Sequence, residues 1–296
     1  MNFLLTGGTG FIGSALVEAW CDANHCVTVL TRRPRARRRN VWYVTSLDAI
    51  AADTRFDAVV NLAGASLAGA RWTPAYKREI VSSRLNTTAA VVALLHRLEH
   101  PPATLLSASA IGYYGHHGDE PLDEDATPAP GFSHDLCQRW EAAALQAADG
   151  GTRVCLLRLG VVLDGGGGAL QEMARPFRFG VANWVGDGRQ WLSWVHRRDV
   201  IAAIGFLLQR PDLSGPFNVT APNPVTAREF CGVMKRNKRT LVTAPVPAPV
   251  IRLLVGEMAQ ELLLHGQRVV PARLEAAGFD FSLPGLDAAL AECFAR

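Results

Sequence analysis

The sequence predicts an α/β protein: a doubly wound parallel sheet followed by a small α/β lobe at the carboxyl end. Three observations carry this reading. Short apolar runs alternate with segments of helical period through the first two-thirds of the chain, the pattern of a parallel sheet covered on both faces. The first run passes directly into glycines at three-residue intervals. Pro245, Pro247 and Pro249 then mark a break, after which the chain is helical and punctuated by Pro and Gly. The expected division is a sheet domain over residues 1–220 and a small domain over 245–296, set over the carboxyl edge of the sheet, where ligands bind in such folds.

Phe3, Leu4 and Leu5 read as a buried strand, residues 14–20 as a helix and residues 26–30 as a second strand. Between the first strand and the helix lies Thr6-Gly7-Gly8-Thr9-Gly10-Phe11-Ile12-Gly13. Strand, glycine turn, helix and strand within about thirty residues make the unit that binds a dinucleotide. Glycine at position 7 permits the tight turn, at 10 the approach of a pyrophosphate, and at 13 the contact of helix with strand. The helix then offers its unpaired amides and positive end to the phosphates. Gly7, Thr9, Gly10, Phe11, Ile12 and Gly13 are the residues expected to line that ligand.

The end of the second strand indicates which dinucleotide. An NAD site usually places Asp or Glu there, on the ribose hydroxyls. This chain has Thr31-Arg32-Arg33, two cations suited to a 2′-phosphate. The expected cofactor is NADP(H), with Arg32 as the main contact. Arg35, Arg37, Arg38 and Arg39 read as a solvated loop.

Residues 41–48 suggest a third short strand and turn. Residues 56–61 form a clear apolar strand ending in Asn61, and the exit Leu62-Ala63-Gly64 runs into small residues that let a ligand lie against the backbone. A helix is expected over about 75–98, bearing Lys77, Arg78, Glu79 and Arg84. Another strand begins at Leu105 and ends among Ser107, Ser109, Tyr113 and Tyr114, hydroxyls able to bond a substrate oxygen or to cap a turn. Residues 116–131 read as an acidic, proline-rich loop bordering a cleft, 132–148 as a helix, and 154–163 as one apolar strand. The glycines at 165–168 read as a flexible loop, since no Lys-Ser or Lys-Thr follows to make a phosphate cradle. A tryptophan-rich stretch then leads through His196 and Asp199 into a helix to Leu208, and residues 217–219 close the sheet.

Composition bounds the function. The chain has 296 residues, 49 % of them apolar, and a net charge of +3. The arginine cluster is therefore local, which argues against a nucleic-acid partner. Six cysteines and eight histidines are scattered without metal-ligand spacing, so no metal is expected. The cysteines read as reduced packing residues of a cytoplasmic protein. No apolar stretch reaches membrane-spanning length, and the strand and glycine turn begin at once, with no signal peptide ahead of them.

The glycine motif, Asn61-Leu62-Ala63-Gly64 and Ser107-Ala108-Ser109-Ala110-Ile111-Gly112-Tyr113-Tyr114-Gly115 together resemble the extended short-chain dehydrogenase/reductases. Arg71-Trp72, Ser83-Arg84, the strand from Arg158 into its glycines, Gly256-Glu257, residues 263–271 and residues 278–281 resemble more narrowly the atypical epimerase-family branch (family 39U and its bacterial relatives). That branch ends in a small domain of unknown function, and the resemblance covers nearly the whole chain. It implies a Rossmann protein that binds NADP and acts as a nucleoside-diphosphate-sugar epimerase or oxidoreductase. It also implies cofactor contacts at Thr31, Arg32, Leu62, Ala63, Glu79, Arg84 and Val162, and a catalytic serine at Ser109.

One part of the pattern is missing. Active members of the wider family carry Tyr-x-x-x-Lys on the helix after the hydroxyl strand, the lysine lowering the tyrosine's pKa. Counting back from Glu141 places the tyrosine position on Ser133 and the lysine position on Cys137, and no tyrosine of this chain has a lysine four residues later. Cys137 reads as a packed helix residue. Ser109, Tyr113 and Tyr114 are left as the candidate catalytic groups, with His134 and His196 as structural residues or substitute bases. The expectation is hydride exchange with an alcohol or carbonyl substrate, a nucleotide sugar or carbonyl compound. The alternative is an NADP(H) sensor that has lost its chemistry. The sequence leaves the oligomeric state open.

Overall fold

Seven parallel strands form the centre of the computed structural model, which describes residues 1–295. They are β1 (Asn2–Thr6), β2 (Cys26–Leu30), β3 (Val41–Val44), β4 (Ala58–Asn61), β5 (Thr104–Ala110), β6 (Arg153–Leu159) and β7 (Gly215–Val219). Across the sheet they run β3-β2-β1-β4-β5-β6-β7, every neighbouring pair parallel. The winding reverses between β1 and β4, so the crevice beyond their carboxyl ends is the switch point at which such sheets bind ligands.

Alternate strand residues feed opposite faces. Leu5, Val29, Val60 and Leu157 meet Leu16 and Trp20 of α1 (Phe11–Asp22) and Ile204 and Leu207 of α4 (Arg197–Gln209). Leu4, Val59, Leu105 and Leu156 meet Val91 and Leu95 of α2 (Pro74–Arg97) and Ala144 of α3 (Phe132–Leu145). Burial on both faces explains why these strands read as continuous apolar runs. The long α2 starts where its sequence dictates: Thr73 accepts the Tyr76 amide, and Pro74 fills the first turn, where an N–H is not needed.

Three expectations need correction. The strand over 154–163 breaks at Gly160. There the chain leaves the main sheet, the Gly160 amide bonding Val219 and the Val161 amide bonding Ser193, and Val161–Asp164 pairs with Trp194–His196 instead. A Cβ at Gly160 would lie 2.7 Å from the Ser193 oxygen, so the crossing requires glycine. The glycines at 165–168 are not a free loop: Gly167–Gly168 folds back on Leu163 and Asp164 as a hairpin. The loop at 116–131 contains a strand, Pro121–Leu122, that pairs with Arg268–Val269 of the tail.

Beyond the sheet lie α5 (Ala227–Asn237), α6 (Ala248–Val255) and α7 (Leu286–Phe294), with shorter helical turns between the last two. The tail touches the sheet domain at several places. Leu274 and Phe279 join the central core, and Leu286 and Leu290 pack on Phe230, Met234 and Trp194. Met258 and Leu262 rest on Trp72, Ile80 and Leu136, while Val269 covers Tyr114. No helix among the described residues is long and apolar enough to cross a membrane.

Candidate dinucleotide and substrate site

The turn after β1 is built for backbone contact. Gly7 has φ +69° and lies so close to the β4 exit that a Cβ would fall 2.6 Å from the Leu62 oxygen; at Gly13 a Cβ would lie 2.2 Å from the Gly7 oxygen. The Gly10 amide bonds Gly7 and the Ser14 amide bonds Gly10, while those of Phe11, Ile12 and Gly13 take no acceptor among the described residues. No side chain caps α1, and its first turn holds no acidic residue. That leaves the positive end of a twelve-residue helix to an anion. Thr9 and Gly10 are exposed beside it.

Phe11 is clamped. Gly167 and Gly168 lie against its ring, which any side chain at Gly168 would strike. Arg197 stacks over it at 4.8 Å, donates to the Phe11 carbonyl at 3.1 Å and pairs with buried Asp164 at 3.0 Å. The hairpin and α4 thus hold the first turn of α1 in place.

Beneath the crevice runs a buried polar network. Thr6 donates to Asn61 at 2.6 Å, and Asn61 donates to Thr88 of α2 and Ser107 of β5. Trp140 of α3 donates to the same Thr88 hydroxyl, and the Ala63 amide to Thr6. Every side chain here has a partner, so the network fixes the edge instead of weakening it. Leu62 and Ala63 cross directly over Gly7, and Gly64 lies against Arg84. Arg84 reaches under this segment, donating to the Ala65 and Ile80 carbonyls and facing the Trp140 ring at 5.1 Å. It is 9 % exposed and has no carboxylate within ion-pair reach among the described residues; burial lowers its pKa. Glu79 is exposed, about 140° round α2 from Arg84 by helical geometry, so the fold does not bring the two together.

At the end of β2, Thr31 is buried and bonded to the Arg33 backbone, whereas Arg32 is exposed and makes no hydrogen bond or ion pair with any described residue. Arg37 and Arg39 are engaged elsewhere, over Trp42 and on Asn24. These residues fit a dinucleotide: a turn that a Cβ would fill, an uncapped helix end, a buried cation under the β4 exit and an unpartnered one at the end of β2.

The far side of the crevice separates the hydroxyl candidates. Ser109 is 2 % exposed and donates to Glu141 at 2.6 Å. Glu141 is held bidentately by Arg158, whose Nη1 also donates to Tyr114, and Tyr114 donates to Asn218 at 2.7 Å. Tyr114 is fully buried, and burial pushes its hydroxyl up to about 12. Tyr113 alone stays part-exposed, its ring 3.4 Å from the Arg158 guanidinium carbon. Cys137 is buried against Ala110, its thiol pushed up to about 12 by burial and then by Glu141. His134 bonds the Tyr113 carbonyl and His196 caps α4, so both have structural contacts. Val162 lies in the strand that crosses from the sheet toward Val195.

Sequence reasoning missed Glu261 of the tail, whose carboxylate accepts the Ser133 hydroxyl at 2.6 Å and the Ser133 amide at 3.3 Å. It also missed the Asp164–Arg197 clamp and Asn218. These partners are brought together by tertiary folding alone, and no local spacing announces them. No group of three or more His, Cys, Asp or Glu suited to a metal occurs among the described residues.

Residues 3–220 match the model of the NAD dependent epimerase/dehydratase family, and residues 246–293 match a domain of unknown function, DUF1731. Epimerase family protein Mb2239 of Mycobacterium bovis is 40 % identical, over 94 % of this chain and 92 % of its own length. The crystal structure of human epimerase family protein SDR39U1 (isoform 2) with NADPH superposes with a TM-score of 0.91 at 33 % identity, covering all of both chains. The nucleoside-diphosphate sugar epimerase from Corynebacterium glutamicum has a TM-score of 0.79 at 29 % identity, covering 99 % of this chain and 58 % of that one.

Proposed function

The chain belongs to the NAD-dependent epimerase/dehydratase family, and from that premise we propose that it is an NADP(H)-dependent oxidoreductase or nucleoside-diphosphate-sugar epimerase. The bound cofactor supplies a nicotinamide able to take or give hydride. The chain supplies the grip. Amides at Phe11, Ile12 and Gly13 face the pyrophosphate beside Gly7, Thr9 and Gly10, Arg32 takes the 2′-phosphate next to Thr31, and Leu62, Ala63 and Gly64 lie along the ribose. Arg84 balances phosphate charge, with Glu79 and Val162 at the margins. The observation that carries NADP over NAD is Arg32, exposed and unpartnered where a carboxylate would otherwise stand. NADPH in the human relative supports the same choice.

The substrate alcohol or carbonyl lies beyond β5, near Tyr113, at an edge stiffened by Ser109, Glu141, Arg158 and Tyr114. A nucleotide sugar or a carbonyl compound is the class of substrate; the sugar epimerase from Corynebacterium glutamicum supports the former. The chain's cysteines, scattered without a pairing pattern, support a reducing compartment, the cytoplasm. The experiment is a panel of UDP-sugars and aldehydes followed by NADPH absorbance, with sugar products analysed for inversion. Turnover with any member supports the reading.

A second reading has its own observation. Ser133 and Cys137 stand where Tyr and Lys belong, and Ser109 and Tyr114 are engaged in the interior. A protein that binds NADPH without turnover would be a sensor. Tight NADPH binding with no conversion across the panel selects that reading over the first.

A further inference from the structure

We propose that Ser133 and Glu261 form the proton-transfer pair of this site, a hydroxyl–carboxylate couple assembled from the sheet domain and the tail. The inference rests on the oxidoreductase reading above. Ser133 occupies the first turn of α3, at the position of the missing tyrosine, and packs on Gly112: a Cβ there would lie 3.0 Å from that of Ser133. It therefore sits just past the carboxyl end of β5, next to the crevice. Glu261 accepts both its hydroxyl and its amide through one oxygen, Oε2, leaving Oε1 without a hydrogen-bond partner among the described residues. Both side chains are part-exposed.

Of the other groups at this edge, Tyr113 is part-exposed with its ring on Arg158 and no carboxylate bonded to its hydroxyl, and three are committed. Ser109 donates to Glu141, Tyr114 is fully buried between Arg158 and Asn218, and Cys137 is sealed in the protein as a neutral thiol. Ser133 and Glu261 combine a hydroxyl, a carboxylate and access in one hydrogen-bonded unit. The carboxylate has a firm mount. It lies in a π-helical turn, Gln260–Leu264, a widened geometry that recurs at functional sites. Met258 and Leu262 fasten that segment to Trp72, Ile80 and Leu136. The charged and titratable groups nearby are His265, which feels both Glu261 and Arg252 and stacks on His116, Lys77, which lies over the Phe132 ring and pairs with Glu257, and His134 on α3.

In the oxidation direction the substrate O–H bond breaks and its proton passes to Ser133 Oγ, as the serine's own proton passes to Glu261 Oε2. The substrate C–H bond breaks with its electron pair, which leaves as hydride to bound NADP⁺. The substrate becomes a carbonyl, oxidised by two electrons, and the cofactor becomes NADPH. Concerted passage of both protons spares a free alkoxide at Ser133. Reduction, or the return half of an epimerisation, reverses each step.

The test compares wild type, Ser133→Ala and Glu261→Gln in NADP(H)-linked turnover of the UDP-sugar and aldehyde panel, with NADPH affinity measured by calorimetry and folding by thermal unfolding. Glu261→Gln keeps the shape and an acceptor for Ser133. Each variant is expected to lose about a hundredfold or more in kcat, the double variant little more than either alone, with NADPH affinity and unfolding midpoint unchanged. Wild-type turnover that both variants retain overturns the pair alone. A loss of rate matched by a loss of NADPH affinity makes the contact structural and overturns it too. Absence of turnover in the wild type overturns the oxidoreductase reading, and the pair with it.

Discussion

Arg158 grips Glu141 with two prongs, Nε to Oε1 at 2.9 Å and Nη2 to Oε2 at 3.0 Å, and both side chains are buried. The pair joins β6 to α3 and collects Ser109, Tyr113 and Tyr114 around it. Removing one partner leaves an uncompensated charge in the interior. Arg158→Met and Glu141→Gln are each expected to cost about 3–5 kcal/mol, read as a lower urea midpoint. Replacing both by Met and Leu should cost less than the two single changes summed. Near-neutral single variants would show that the pair is not a support of the edge.

Gly13→Ala tests the packing of α1 on the turn. The added methyl meets the Gly7 oxygen at 2.2 Å, so the helix must retreat and draw its amides from the phosphates. NADPH affinity, followed by fluorescence titration, is expected to fall about tenfold or more, equivalent to about 1.4 kcal/mol. Wild-type affinity in this variant would mean that the turn does not form the floor of the site.

His196 makes stability depend on pH. Burial holds it below its ordinary value of 6.5, although Asp164 and Asp199 pull the other way. Its Nδ1 accepts the Arg198 amide, so the folded state favours the neutral ring. The unfolded chain takes up the proton first as pH falls below about 6.5, and stability drops through that window; above it the contribution is fully present. Asn at this position can still accept the Arg198 amide but does not titrate. From about pH 7 to about pH 5.5 the wild type should lose more of its urea midpoint than His196→Asn. Parallel curves would contradict this.

The thiols separate by burial. Cys137 is pushed up to about 12 and Cys155 to about 11, and both are enclosed together with Cys231 and Cys293. Cys21 and Cys26 are part-exposed. Iodoacetamide at neutral pH, read by mass spectrometry, should modify Cys21 and Cys26 and leave the other four intact until the protein unfolds. Rapid modification of Cys137 would reopen it as a reactive group.

Much of the sheet was legible in the sequence because burial on both faces writes itself as apolar runs, and the turn after β1 because a side chain at Gly7 or Gly13 would strike backbone. The break at Gly160 was not legible: the strand stays apolar on both sides while it changes partners from Val219 to Ser193. Nor was the packing of the 165–168 glycines, which looks like flexibility in one dimension and is contact with Phe11 in three. Ser109 and Tyr114 read as reactive because a hydroxyl at a strand end is ambiguous; only Arg158, Glu141 and Asn218, distant in the chain, show how each is bonded. Glu261 stands 128 residues from Ser133, and no spacing rule spans that distance.

Calorimetric titration of the purified chain with NADPH and with NADH, repeated on Arg32→Asp, tests the central claim most directly. The wild type is expected to bind NADPH saturably and more tightly than NADH, and Arg32→Asp to lose about 10- to 100-fold in NADPH affinity, the worth of a charged hydrogen bond, while NADH is comparatively favoured. No heat with either nucleotide would contradict the dinucleotide site itself, and an unchanged preference in the variant would contradict the role of Arg32.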